Sequence, residues 1–479
     1  MNDINKAAIK DARSLGYPKM MLLGLQHMFA MFGATILVPM IVNSHFGNNR
    51  LSIQVTLFCA GAGTLLFHFL TKNKVPAFLG SSFAFLGGFA TVASLKTGIY
   101  KNMSVADKLP YACGGIVVAG LMYIVLALLI KLVGVKKVMK FLPPVVTGPI
   151  IICIGLSLAP SAIKNASTCW PLALIALGVV IFFNIWGRGI FKIVPILMGV
   201  VIAYAAALLF NQLGMKTDDG KAILDFATVA SASYVSWQPF EFCKFDLTAI
   251  LVMAPIALAT MMEHIGDISS ISATVDGNFI EDPGLHRTLF GDGLATALAG
   301  MFGGPANTTY GENTGVLELS RVHDPRVIRL AAVYAIVLSF SPKFAMLIGS
   351  LPASIIGGIS FILYGMISAI GVRNVVENQV DFTKSRNLII AAVILVTGLG
   401  FPNGLTFEVG STSITLTSLA LAAIFGIALN AILPGKDFNY TEEYDENLKK
   451  VETLGEIQER EEREKSETKL SETSASVKG

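Results

Sequence analysis

Charge is what this 479-residue chain has least of: Asp, Glu, Lys and Arg make up 14% of it, against about 25% in soluble domains. Even that share is uneven, because 21 of the 69 charged residues lie beyond Leu433, leaving 48 for everything before it. So few charges cannot cover a water-facing surface, which excludes a cytosolic enzyme, a secreted domain and a disordered scaffold. Cysteine is scarce too. Cys59, Cys113, Cys153, Cys169 and Cys243 show neither CxxC nor Cys/His spacing, so neither a disulfide framework nor a thiolate metal site is expected. No HExxH and no Asp-rich metal motif occurs, and Leu289 stands where an intramembrane aspartyl protease would need the first glycine before Gly291-Asp292. No carbonyl filter or ring-forming acidic repeat points to an ion channel. The net charge of +3 divides into +8 before the tail and −5 within it, too weak either way to suggest nucleic acid as a partner. No cofactor and no metal is expected.

What is present is hydrophobic length. The expected class is an all-α polytopic membrane protein, since about 20 apolar residues are needed for one helical crossing. Apolar runs lie near 20–43, 51–71, 109–134, 145–162, 169–187, 190–213, 247–271, 286–304, 327–349, 354–371, 386–401 and 414–433, and two shorter pieces near 82–95 and 312–321. Counting the short pieces gives about 14 segments, an even number that puts both termini on one side. With that side cytoplasmic, inside connections carry fifteen Lys and Arg against nine outside, so the expectation is a cytoplasmic-membrane protein with both termini inside. Residues 435–479 read as a charged cytoplasmic tail without chemistry.

A weak internal repeat is visible. Leu142-Pro143-Pro144-Val145-Val146-Thr147-Gly148 is similar to Leu351-Pro352-Ala353-Ser354-Ile355-Ile356-Gly357, and each opens an apolar helix. Pro76 leads to Gly80-Ser81-Ser82 as Pro305 leads to Gly311-Glu312, just before the two short pieces. Seven segments per half, an odd number, would set the halves in opposite orientation. Paired interrupted segments of this kind point to a transporter's substrate site.

Acids at membrane depth are functional candidates because burying them is costly. Glu263, Asp267, Asp292 and Glu312 sit in or at the ends of apolar segments. Glu263 and Asp267, at i and i+4, share a helix face, where two negative charges repel; one of them is expected to hold a proton at neutral pH. Asp292 joins them if its helix packs nearby. Glu312 opens a short helix whose free N–H groups favour an acceptor-rich ligand. Ser82 and Phe83 take the equivalent place in the first half, with Ser81 or Ser82 able to cap. Carboxylate acceptors facing backbone donors suit a small planar molecule with alternating N–H and C=O groups, with Phe83 and Tyr310 available to stack. His27, beside Gln26, either hydrogen-bonds the site or is a satisfied core histidine, and His264 is read as packing. Two acids in such a site would repel an anionic substrate, which sets the chain apart from chloride or sulfate carriers.

These segments resemble the nucleobase–ascorbate transporter family, and within it the bacterial uracil permeases, over about residues 18–433. The resemblance rests on Gln26-His27-Met28-Phe29-Ala30-Met31-Phe32-Gly33-Ala34-Thr35 and on Pro76-Ala77-Phe78-Leu79-Gly80-Ser81-Ser82-Phe83-Ala84-Phe85. It rests also on Glu263-His264-Ile265-Gly266, on Asp282-Pro283-Gly284-Leu285-His286-Arg287 and on Thr308-Thr309-Tyr310-Gly311-Glu312-Asn313-Thr314-Gly315. It implies two inverted repeats of seven segments, with two half-helices each preceded by a short strand. It implies a core domain (residues 1–137 and 245–350) and a gate domain (138–244 and 351–434) that move against each other. It further implies homodimers and proton-coupled uptake of a nucleobase. Glu263 and Glu312 would bind the base through its N–H groups, backbone at Phe83, Tyr310 and Gly311 would complete the pocket, and Asn313 would brace it. Proton coupling would fall to Asp267, Glu263 and Asp292.

Two positions pull apart within the family. Uracil permeases usually carry His where this chain has Asp267, an acid typical of the xanthine branch. Xanthine carriers usually carry Gln where this chain has Glu312. Ser320 replaces the family's signature Thr. Glu312 would touch the ligand, so uracil is the expected substrate and xanthine or another purine the alternative.

Overall fold

The computed structural model describes residues 9–47, 50–96, 98–188, 191, 194–214, 224, 227–402, 404–409 and 412–435. The charged tail beyond residue 435 lies outside the described residues. Helices occupy every apolar run. In chain order those longer than five residues are α1 Tyr17–Phe46, α2 Ile53–Leu70, α3 Leu86–Ser94, α4 Leu109–Val133, α5 Pro144–Ser157 and α6 Ala159–Ala166. Next come α7 Trp170–Trp186, α8 Pro195–Gln212, α9 Leu247–Met253, α10 Ala257–Thr274, α11 Leu285–Met301 and α12 Gly311–Ser320. The chain closes with α13 Pro325–Ser339, α14 Pro342–Gly349, α15 Ala353–Glu377, α16 Ser385–Gly400 and α17 Ser418–Ile432. Among the described residues seven spans are long and apolar enough to cross a membrane; α13 and α14, bent by 90° at the break between them, are a broken span or a re-entrant loop, and α7, α16 and α17 are shorter apolar helices.

Local chemistry sets where these helices begin. Proline stands in the first turn of α4, α5, α7, α8, α13 and α14, where its missing N–H costs nothing. Asp246, Asp324, Ser341 and Thr417 cap α9, α13, α14 and α17 with side-chain oxygens. The helices stay apolar outside as well as inside: Leu121, Val125, Leu128 and Leu132 form an exposed stripe on α4, as a lipid-facing surface requires.

Helix pairing falls into two sets. In one, α4 packs along α11, and α2 packs against α11 and α13, with α1 beside α13. In the other, α5 packs against α15 and α16, α7 against α8 and α15, and α16 against α17. The α4–α11 contact is backbone to backbone, because a Cβ on Gly120 would lie 2.5 Å from the Gly293 carbonyl oxygen. Small residues permit such approach where no aqueous hydrophobic force drives association. Helix α10 touches both sets, meeting α12 and α4 in the first and α5 and α17 in the second.

The fold is not purely helical. Strands β1 (Leu79–Ser81) and β2 (Asn307–Thr309) pair antiparallel, with Leu79 opposite Thr309, Gly80 opposite Thr308 and Ser81 opposite Asn307. These are the two short strands expected ahead of the half-helices α3 and α12. A hairpin of β3 (Leu405–Val409) and β4 (Thr412–Leu416) was not anticipated; it takes residues 414–416 from the span expected near 414–433, so α17 starts at Ser418.

Candidate substrate site

The β1–β2 ladder brings residues more than 220 positions apart to one point and aims two short helices away from it. Helix α12 follows β2 at once, whereas α3 starts at Leu86 after a turn over residues 83–85. Neither start carries a side-chain cap. Ser81 does not cap as expected, because its hydroxyl donates instead to the Thr35 carbonyl oxygen at 2.6 Å. Ser82 N–H donates to Ala306 O at 2.8 Å, extending the ladder, while Ser82 Oγ and Thr308 Oγ1 are buried without a hydrogen-bond partner among the described residues.

Tyr310 locks the joint. A Cβ on Gly80 would lie 2.4 Å from the Tyr310 ring, so only glycine leaves room for that ring. The phenol hydroxyl donates to Ser81 O at 2.9 Å. Tyr310 lines the cavity, and its ring also packs one half of the fold against the other. Phe83 keeps an aromatic face at the site, its ring edge-on to Tyr364 at 5.7 Å.

Glu263 and Asp267, one turn apart on α10, line a single cavity of about 20 Å³ with Phe83, Thr308, Thr309, Tyr310 and Gly311, closed on the far side by Ile151, Ile367 and Ile370. Thr309 Oγ1 donates to Asp267 Oδ2 at 2.7 Å, tying α10 to the second strand. The cavity admits about one water. It adjoins a vestibule of about 370 Å³ that shares Gly311 and Ile370 with it. Phe29, Ala30, Gly315 and Val316 form one wall of the vestibule; Asn184, Pro195, Ile196, Met366 and Arg373 form the other.

Glu312 lies in the first turn of α12, but its side chain is outside the described residues. Asn313 and His27 do meet: Asn313 Nδ2 lies 3.4 Å from both His27 Nδ1 and His27 O, joining α12 to α1 next to the buried Gln26.

Two expectations need correction around Asp292. It does not line the cavity with Glu263 and Asp267. Its Oδ2 lies 2.9 Å from Nδ1 of His264, and both side chains are fully buried. His264 is thus more than packing; it points off the α10 face that carries the two acids and binds α11, between the rings of Phe67 and Tyr123. Helical phase separates His264 from Glu263, but no sequence signal says which helix lies on that other side.

Residues 18–407 match the family described as "Permease family". The chain belongs to it. A "Uracil permease" of Bacillus caldolyticus is 40% identical over 429 residues, covering 86% of this chain and 92% of that one. Another from Bacillus subtilis is 39% identical, covering 86% and 91%, and a "Putative pyrimidine permease RutG" of Escherichia coli is 36% identical, covering 88% and 91%. Among solved structures, the transmembrane domain of a cyanobacterial bicarbonate transporter, BicA, aligns with TM-score 0.55 at 15% identity over 83% of this chain and 99% of that one. SLC26A9 aligns with TM-score 0.63 at 11% identity over 88% and 66%. Those two likenesses speak for the fold alone. Family membership and the apolar helices make this permease a multi-pass membrane transporter rather than an enzyme.

Proposed function

We propose that this permease imports uracil together with a proton across the cytoplasmic membrane. The observation that carries the reading is the meeting of Glu263 and Asp267 with the beginnings of two half-helices around one cavity. Uracil is planar and neutral, with ring N–H donors and carbonyl acceptors. Its N–H groups would donate to the carboxylates of Glu263 and Glu312. Its carbonyls would accept from backbone N–H groups at Phe83 and Gly311, where helix starts concentrate partial positive charge, while Tyr310, whose own N–H donates to Phe78 O at 3.0 Å, lines the pocket wall. Phe83 offers the ring face, Ser82 lies behind it, and Asn313 with Gln26 and His27 braces α12.

Proton coupling is assigned to Asp267 with Glu263. A shared face one turn long makes two full negative charges unfavourable, so a proton held there compensates the pair while a neutral base is carried. Asp292 does not line the cavity, and its carboxylate lies against His264 of the same acid-bearing helix, so its share in proton coupling would run through that imidazole.

The two packing sets support a core domain over 1–137 and 245–350 and a gate over 138–244 and 351–434, within 14 segments in two inverted repeats. The vestibule lies between the sets. With both termini cytoplasmic, it opens inward, and transport proceeds by movement of core against gate in a homodimer within the bilayer. The test is thermal stabilisation of the purified protein by uracil, xanthine, hypoxanthine and ascorbate, since a ligand of the native state raises the apparent melting temperature. A shift with uracil supports the reading. A shift with xanthine alone would mean that Asp267 outweighs Glu312 in choosing the base.

A further inference from the structure

We propose that Lys108 is a positioning residue for the substrate site, acting from the opposite end of α3. Lys108 is 4% exposed. Its ammonium donates to Ala93 O at 3.1 Å and Leu95 O at 2.5 Å, the last carbonyls of α3. Among the described residues it has no carboxylate partner. A buried ammonium without a counter-charge is costly, and here the partial negative charge at a helix C-terminus takes that part.

The lysine stands on a firm base. It immediately precedes α4, whose contact with α11 is the most extensive between helices among the described residues. Arg50 pairs with Asp107 at 3.1 Å, and Lys244 N–H donates to Pro110 O at 2.9 Å, fixing the same end. Helix α3 is nine residues long, about 14 Å. One end is set by the strand ladder and the turn at Phe83; the other is set by Lys108. Removing the charge frees the far end to tilt or slide, which moves the N–H groups and the Phe83 ring at the near end.

The inference rests on the reading that the base binds where α3 begins, and the experiment separates the two. Uracil affinity is measured for the full-length protein carrying Lys108→Met, Lys108→Gln or Lys108→Arg, with Lys101→Met as an exposed control. Hydrogen exchange over residues 86–95 is followed in the ligand-free proteins. Met and Gln are expected to weaken binding about tenfold, the upper range of a charge at a helix end, and to speed exchange over 86–95. Arg restores both, and the control changes neither. Wild-type affinity in the Gln variant with unchanged exchange overturns the proposal, as does an Arg variant as impaired as Met. If the wild type binds no uracil, the substrate reading fails instead, and the exchange comparison still decides the anchoring. Should the Met variant fail to fold, the Gln–Arg pair carries the same test.

Discussion

The two half-helices each follow one strand of a single ladder, yet they are held by different means. Helix α3 ends against a single buried ammonium, Lys108, on the side where Arg50 and Asp107 lie. Helix α12 ends at Arg321 in a left-handed conformation, and the next residue, Val322, bridges to Ile9 of the amino-terminal segment. There Ala12 is buried against Val322 and Val327, its N–H donating to Asp324 Oδ2 at 2.7 Å, while Arg326 pairs with Asp11 at 2.7 Å. The near ends differ as well. The first half brings a turn and an aromatic ring, Phe83; the second brings the acids of α10, Glu263 and Asp267. Two elements related in place need share neither anchoring nor chemistry, and under the proposed reading one half would supply shape while the other supplies charge.

That division can be broken most sharply at the acids. Glu263→Gln is expected to weaken uracil binding about 100-fold, because a charged acceptor is lost and a donor takes its place; Phe83→Ala costs about tenfold. Equilibrium binding of labelled uracil ranks them, and equal losses would show that charge and shape are not divided in this way. The joint itself comes next. Gly80→Ala pushes a methyl into the Tyr310 ring and is expected to cost about 1–3 kcal/mol of stability, with Tyr310→Phe costing about 1 kcal/mol. Thermal unfolding that leaves Gly80→Ala at the wild-type midpoint would remove the ring from its proposed role. Asp267→Asn should keep binding while losing pH-gradient-driven accumulation, and full gradient dependence in that variant would place the proton elsewhere.

The smallest effect belongs to the amino-terminal clasp. Arg13 first, then Arg326, holds the exposed Asp11 carboxyl well below the usual carboxylate range. A depressed value in the folded state contributes stability above the ordinary range near pH 4, and that contribution erodes as pH falls through the folded value. Protection factors for hydrogen exchange over residues 9–15 should therefore fall in acid ahead of those of the helices, and uniform protection would dismiss the ion pairs.

Much of this architecture was legible because membrane crossing imposes length and apolarity, which α1, α2 and α4 display openly. Proline and glycine around Pro76–Gly80 and Pro305–Gly311 marked the interrupted helices for a physical reason: they stop a helix where a strand must pass. Long-range partners were not legible. His264 and Asp292 lie on different helices, and periodicity shows which way a side chain points without showing what waits there. Lys108 read as one more loop cation, since nothing near it in sequence announces that α3 will end beside it. The Ile9–Val322 bridge spans most of the chain. The β3–β4 hairpin lies mostly between two expected apolar runs, and only residues 414–416 overlap the second, where strand alternation is hard to tell from a helix start.

The account turns on uracil and a proton sharing one site, and proteoliposomes test that directly. Purified wild-type protein and Asp267→Asn are given labelled uracil with and without an imposed inside-alkaline pH gradient. The account predicts concentrative uptake by the wild type only when the gradient is present, and gradient-independent equilibration by the variant. Uracil accumulation indifferent to the gradient in the wild type, or accumulation of xanthine in its place, would contradict it.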